Sequence, residues 1–161
     1  MALMAGQTTM LVLFGIYAAL LAAAAVQDAL TLRISNWLCM ALLAVGLVAM
    51  AIGFDARWWQ FFASFLIVLA CGISLFAVRW IGAGDAKLLA ACALAFTLAG
   101  VAKMATLVVL AGGVIAIVLI SLRLFRTDKG LKTSRHVPYG VAIAVGAVAT
   151  VFLDPSTSLF F

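Results

Sequence analysis

The sequence has very few charged residues and contains no glutamate. Only 9% of its 161 residues are charged, the five acidic residues are all aspartates, and there is a single histidine. By contrast, 68% of the residues are hydrophobic and the mean hydropathy is +1.33. This composition lies far outside that of soluble globular domains and excludes that class. The chain is therefore predicted to be an integral membrane protein in which each carboxylate can be considered individually.

The cysteines and the histidine give no sign of a metal or cofactor site. Cys39, Cys71 and Cys92 lie in separate apolar stretches without a C-x-x-C pair, and His136 stands beside Arg135. Zinc sites need several Cys or His ligands at short spacings, which this pattern does not provide. We therefore expect no metal and no cofactor, with the cysteines as small core residues and His136 in a solvated loop or at the interface.

Long apolar runs predict an all-α polytopic membrane protein with six transmembrane helices in a single domain, residues 1–161. A helix needs about 20 apolar residues to cross the hydrocarbon core, and somewhat shorter ones are tolerated. Six segments meet this requirement: 10–26, 37–54, 59–78, 86–102, 104–122 and 137–153. The break between Gly100 and Lys103 is the weakest, because one charge separates two apolar runs. The first run lacks the basic start of a signal peptide and is interpreted as a retained helix.

Basic residues are concentrated in alternate connections between these segments. Connections one, three and five carry eight of the ten basic residues, and the opposite side has only Arg57 and Lys103. The eight are Arg33, Arg79, Lys87, Arg123, Arg126, Lys129, Lys132 and Arg135. The positive-inside rule therefore predicts that these connections are cytoplasmic and that both termini lie outside. The basic excess also predicts contact with anionic lipid headgroups, especially along residues 123–135, rather than with nucleic acid.

The same topology sorts the five aspartates. Asp55 and Asp154 fall on the outer side, and Asp128 lies within the basic fifth connection. Asp28 and Asp85 are both predicted at the inner edge of a helix, so they can meet although they are far apart in sequence. A carboxylate beside hydrocarbon is costly, which makes these two residues functional candidates.

Two neighbouring carboxylates are suited to hydrolysing a peptide bond. They cannot both ionise easily, so one keeps a proton near neutral pH while the other takes a proton from water. The protonated partner can donate a hydrogen bond to the scissile carbonyl. Gly82 and Gly84 leave space for another backbone and permit turn conformations closed to other residues. Lys87 and Arg33 can snorkel towards headgroups, or favour ionisation of the nearby aspartate.

The residues around Asp28 and Asp85 resemble a known family. The stretches DALTLRISNWL (28–38) and GAGDAKLL (82–89) are similar to the two motifs of the type IV prepilin peptidases, bacterial members of the GxGD aspartic membrane proteases. The similarity extends to the six spans and to the late segment VPYGVA (137–142). Ser35 departs from the pattern, since many relatives have proline before the asparagine. The two motifs together are specific, whereas either one alone is not.

The resemblance implies that Asp28 and Asp85 are the catalytic aspartates. The supporting motif residues that it implies are Gly82, Gly84, Lys87, Arg33 and Asn36. It also implies a multi-pass enzyme of the bacterial inner membrane that removes the leader peptide of prepilins and pseudopilins at the cytoplasmic face. Larger relatives carry a further cytoplasmic domain with paired cysteines and N-methylate the new amino terminus. This sequence contains no such domain, so we expect the short form of tight-adherence (Flp-type) pili, which cleaves without methylation.

Two other functions are compatible with the sequence. In a small proton- or cation-coupled transporter the aspartates would carry the ion, although such proteins often have acids nearer mid-membrane and internal repeats. In a non-enzymatic membrane subunit of pilus assembly, Asp28 and Asp85 would only pair with Arg33 and Lys87. The sequence leaves the oligomeric state and the exact substrate open.

Overall fold

The chain forms a bundle of six α-helices within the residues that the computed structural model describes, which are 2–53, 57–125 and 139–160. The helices are α1 (Ala2–Thr31), α2 (Asn36–Gly53), α3 (Trp58–Ala77), α4 (Ala83–Ala93), α5 (Leu98–Phe125) and α6 (Tyr139–Leu153). Four of them, α1, α2, α3 and α5, are long and apolar enough to cross a membrane, and α6 is apolar but shorter. The prediction of an all-α polytopic membrane protein is confirmed.

Large apolar side chains cover the outer surface of the bundle. Leu30, Trp37, Val109, Ile117 and Phe152 are between 66% and 78% exposed. A soluble monomer rarely leaves so much apolar surface in water, whereas lipid tails are as apolar as these side chains. These surfaces are therefore suited to contact with hydrocarbon.

The short helix α4 lies at the centre of the bundle. It packs against α2, α3 and α6, and every residue from Ala90 to Thr97 is buried. Its alanines allow the surrounding helices to approach closely. With 11 residues, α4 rises only about 17 Å, well short of the hydrocarbon core of about 30 Å.

The predicted segment 86–102 and its break near Gly100 are wrong in extent. α4 ends at Ala93 and α5 begins at Leu98, so Gly100 and Lys103 both lie inside α5. Thr97 starts that helix, because its hydroxyl accepts a hydrogen bond from the N–H of Gly100 at 3.3 Å. A threonine in this position is a common helix N-cap, and it defines the helix start more strongly than one lysine.

Buried, non-helical residues lie between α4 and α5 and pair with the C-terminal residues. The N–H of Thr97 donates to the carbonyl of Thr157 at 2.9 Å, and Thr157 is the last residue of a short 3-10 helix, Pro155–Thr157. The ring of Phe160 then packs against Tyr17 of α1, with 5.2 Å between ring centroids. Irregular backbone is tolerated at membrane depth only where protein covers it. The C-terminal residues therefore fill the space beyond the end of α4.

The predicted lipid-binding stretch lies largely outside the described residues. Its basic residues Arg126, Lys129, Lys132 and Arg135 belong to the range 126–138, which the structure does not describe. Asp128 and His136 lie in the same range, and Asp55 lies in the range 54–56, which the structure does not describe either.

Candidate active site

Asp28 lies in the last turn of α1 and is only 5% exposed. The sequence predicted it at the inner edge of the first helix, and α1 extends beyond the predicted segment 10–26 to include it. The helix ends three residues later, at Thr31, because Leu32 takes a left-handed conformation with φ 53° and its N–H donates to the Asp28 carbonyl at 2.8 Å. Such a conformation is uncommon for a residue other than glycine and is typical of helix C-termini. The carboxylate of Asp28 is therefore held near one end of the bundle.

The start of α6 holds the carboxylate of Asp28. The N–H of Gly140 donates to Oδ2 of Asp28 at 2.7 Å, and both residues are buried. A Cβ atom at position 140 would lie 2.8 Å from Cβ of Asp28 and 2.9 Å from Oδ2. Only glycine fits there without displacing the aspartate. Gly140 was not predicted as a site residue from the sequence, although it lies in the segment 137–142 that supports the family resemblance.

Asp85 lies in the first turn of α4 and is partly buried. Gly82 has extended backbone, with φ −73° and ψ 149°, and its carbonyl accepts the N–H of Ala86 at 3.1 Å. A Cβ atom at position 82 would lie 3.0 Å from Oδ2 of Asp85, and one at Gly84 would lie 3.3 Å from Cβ of Ile34. Gly82 therefore leaves space for the Asp85 carboxylate, and Gly84 leaves space for the side chain of Ile34. The predicted special turn conformation is wrong, because none of the described glycines has a positive φ.

Both carboxylates line one cavity of about 580 Å³. Its walls come from the end of α1 and the connection that follows, from residues 79–85, and from Tyr139. The two carboxylates are close enough for the charge of Asp28 to act on Asp85. Arg33 and Arg79 belong to the same walls, so two cations lie near the two acids. The volume falls within the range of ordinary ligand sites, about 300–1,000 Å³.

The remaining predicted motif residues connect the elements around this cavity. Lys87 donates from Nζ to Oδ1 of Asn36 at 3.2 Å, which links α4 to the first residue of α2. Lys87 and Asn36 are absent from the lining residues, whereas Arg33 is one of them. The structure therefore gives Lys87 a contact between helices, and it gives Arg33 a position beside the two carboxylates.

A second group of charged residues lies at the opposite end of α6. Lys103 forms a salt bridge with Asp154, which directly follows α6. Hydrogen bonds from Lys103 and from Ser156 hold the pKa of the Asp154 carboxyl below its usual value. Nearby, Arg57 donates from Nη1 to the carbonyl of Ser156 at 3.3 Å. Asp154 is therefore committed to its own ion pair and does not reach the cavity.

Cys39 and Cys92 are buried, free thiols, as expected for core residues. Cys71 is exposed on α3, so the prediction that all three cysteines belong to the core is wrong for this residue. Within the described ranges, no three His, Cys or Asp side chains come close enough together to hold a metal ion.

Fold and site together define a class of protein, an all-α polytopic membrane protein with two carboxylates facing one cavity. The family model of the type IV leader peptidase family matches residues 15–121, which include both aspartates and more than half of the chain. The chain therefore belongs to the type IV leader peptidase family and is a peptidase of that type, which confirms the resemblance drawn from the two motifs. Comparison with curated proteins and with solved structures finds no match.

Proposed function

We propose that the protein is an aspartic endopeptidase whose catalytic residues are Asp28 and Asp85. The observation that carries the proposal is their position in one cavity, within electrostatic reach of each other, although they come from different helices. Family membership supports peptide hydrolysis as the reaction. Glycines beside both carboxylates, Gly82 and Gly140, support a site in which side chains are kept clear of the reacting groups.

The reaction needs one ionised and one protonated carboxyl group. Because two adjacent carboxylates repel each other, the pair retains one proton that both can share. The ionised member takes a proton from water as the water oxygen bonds to the scissile carbonyl carbon, and the protonated member gives its proton to the carbonyl oxygen. Collapse of the tetrahedral intermediate breaks the C–N bond, and a proton passes to the departing amine. The two roles belong to the pair and not to either residue alone.

The proposed substrates are prepilins and pseudopilins, whose leader peptide is removed at the cytoplasmic face of the bacterial inner membrane. The charge distribution supports this orientation: the cavity residues Arg33 and Arg79 belong to the alternate connections, one, three and five, that together hold eight of the ten basic residues of the sequence, whereas Arg57 and Lys103 lie at the other end of the bundle. Basic residues favour the cytoplasmic side of a membrane. We further propose the short, Flp-type form, which cleaves without methylating the new amino terminus.

The test is co-expression of the chain with a candidate prepilin, followed by mass spectrometry of the new amino terminus of the pilin. The wild-type chain should shorten the prepilin and leave an unmethylated amino terminus. Asp28→Asn and Asp85→Asn should each abolish cleavage, because either change removes one of the two groups that exchange protons.

Asp154→Asn is the matched control for these two substitutions. It makes the same chemical change at a membrane edge, but in an ion pair away from the cavity, so cleavage should continue. All variants are compared at equal amounts of inserted protein. Normal processing by Asp28→Asn or Asp85→Asn would refute the proposed assignment of the catalytic pair.

A further inference from the structure

The start of α6 contacts Asp28 although it lies outside the part of the chain that matches the family model. That match ends at residue 121, whereas α6 begins at Tyr139. Gly140 is the second residue of this helix, and its N–H points to the Asp28 carboxylate at 2.7 Å. The first four N–H groups of a helix have no partner within the helix, so this donor is available to Asp28.

We propose that the backbone N–H of Gly140 is a positioning group for Asp28, which makes the start of α6 a third element of the active site. The inference rests on the proposed function, because it assigns a role within the same site. A hydrogen bond from a helix N-terminus to a carboxylate is charge-assisted and is stronger than one between neutral groups. It fixes the orientation of Asp28 towards the cavity that it shares with Asp85.

Asp28 is surrounded by several other charged or titratable groups that any test must separate from Gly140. Asp85 faces it from α4, Arg33 and Arg79 line the cavity from the two connections, and Tyr139 lines it from the start of α6. Gly140 differs from all of these because its close contact is with Asp28 itself. The nearest atoms to a Cβ at position 140 are Cβ, Cγ and Oδ2 of that residue, at 2.8–3.0 Å.

The first experiment observes the Gly140 amide directly in the wild-type protein. The chain has two tyrosines, and only Tyr139 precedes a glycine, so labelling of tyrosine carbonyl carbons and glycine nitrogens isolates one amide signal by NMR. A short hydrogen bond to a carboxylate should place this proton downfield, and Asp28→Asn should shift it upfield. Asp85→Asn is the control, because it changes a neighbouring charge but leaves the bond in place.

The second experiment measures kinetics of Gly140→Ala with the same prepilin substrate. The added methyl group displaces the Asp28 side chain, so kcat should fall at least about tenfold, because a misplacement of about 1 Å at a reacting group can cost about a hundredfold in rate. KM should stay unchanged, since Gly140 is not among the residues that line the cavity. Gly112→Ala is the matched control: its Cβ would lie at an ordinary 3.6 Å from Ala142, at the same α5–α6 interface.

These outcomes separate the inference from the proposed function. A Gly140 signal that shifts no more in Asp28→Asn than in Asp85→Asn would overturn the inference, and so would an unchanged kcat in Gly140→Ala. If Gly140→Ala fails to fold, the NMR result alone decides. A Gly140 signal that responds to Asp28 in a chain unable to cleave prepilin would leave the contact intact and reject the proposed function instead.

Discussion

Asp28 and Asp85 line the same cavity but are positioned by different local structures. Asp28 is the last buried residue of a long helix, which Leu32 terminates through its left-handed backbone. Asp85 lies in the first turn of a short helix, where a negative charge is favoured by the helix dipole. Burial of a carboxylate is costly unless donors satisfy it, and the N–H of Gly140 provides one for Asp28. Local structure therefore holds both Asp28 and Asp85 in place, in addition to their lying close together.

Gly82→Ala should reduce cleavage without unfolding the protein. The new Cβ would lie 3.0 Å from Oδ2 of Asp85, so the carboxylate must shift. Gly82 itself is exposed, and its backbone conformation is open to alanine. We expect a fall in kcat of about tenfold, because small displacements of a reacting group slow the reaction, measured by the rate of prepilin cleavage. Gly113→Ala, with nothing within 4 Å of its added Cβ, should cleave normally, and an equally active Gly82→Ala would contradict the tight fit.

The Lys103–Asp154 pair should make a small, pH-dependent contribution to stability. The pKa of Asp154 is lowered in the folded protein, so the contribution is fully present above the unfolded value of about 3.9. It is lost as the pH falls through the lower, folded value. Thermal unfolding in detergent should therefore show Asp154→Asn slightly less stable than wild type at neutral pH. The difference should disappear in strong acid, and a difference that persists there would exclude this ion pair as its cause.

At the scale of the elements, glycines and alanines determine how closely the helices approach. α4 is surrounded by α2, α3 and α6, and α6 also packs against α1 and α5. Between α5 and α6 the approach is closest at Gly146, where a Cβ would lie 2.5 Å from Cγ2 of Val108 and 2.8 Å from its backbone N. Because one of these atoms is backbone, a side chain at position 146 cannot be accommodated by a rotamer change alone.

Gly146→Ala should therefore separate α5 from α6 and destabilise the protein. Overpacking of a well-packed interface usually costs about 1–3 kcal/mol, and we expect a lower midpoint of thermal unfolding in detergent. Gly112→Ala, at the same interface but with ordinary contact distances, should unfold at nearly the wild-type temperature. Equal unfolding temperatures for the two variants would contradict the close approach of α5 and α6 at Gly146.

At the scale of the whole molecule, the bundle has two chemically different ends. The cavity end carries both proposed catalytic acids with Arg33 and Arg79, and the other end carries the Lys103–Asp154 pair. Tryptophans lie beside both ends of α3, with Trp58 as its first residue and Trp80 shortly after its last. Tryptophan is enriched at membrane interfaces, so the two residues are suited to mark opposite membrane surfaces.

Cysteine labelling should show which end faces the cytoplasm. Trp58→Cys and Trp80→Cys replace side chains that are 58% and 77% exposed, in a Cys71→Ala background that removes the exposed natural thiol. A membrane-impermeant maleimide should label position 58 in intact spheroplasts, and position 80 only after permeabilisation. The reverse pattern would place the cavity outside and contradict the proposed orientation.

The apolar runs and the two aspartate motifs were sufficient to predict the fold class and the family. Asp28 and Asp85 could be selected because an acid beside hydrocarbon is rare and costly, whatever surrounds it. The extent of α4 could not be predicted in the same way. Thr97 and Gly100 are ordinary within an apolar run, and the N-cap bond that starts α5 forms between them where the distant residue Thr157 packs against both.

The sequence by itself determined that the protein lies in a membrane, that it is helical and that it is a leader peptidase, because hydropathy and short motifs are properties of contiguous residues. Only the tertiary structure decided that α4 is short and central, that Asp28 and Asp85 share a cavity, and that Gly140 contacts Asp28. These features depend on distances between residues far apart along the chain. Such distances arise only when the helices have packed together.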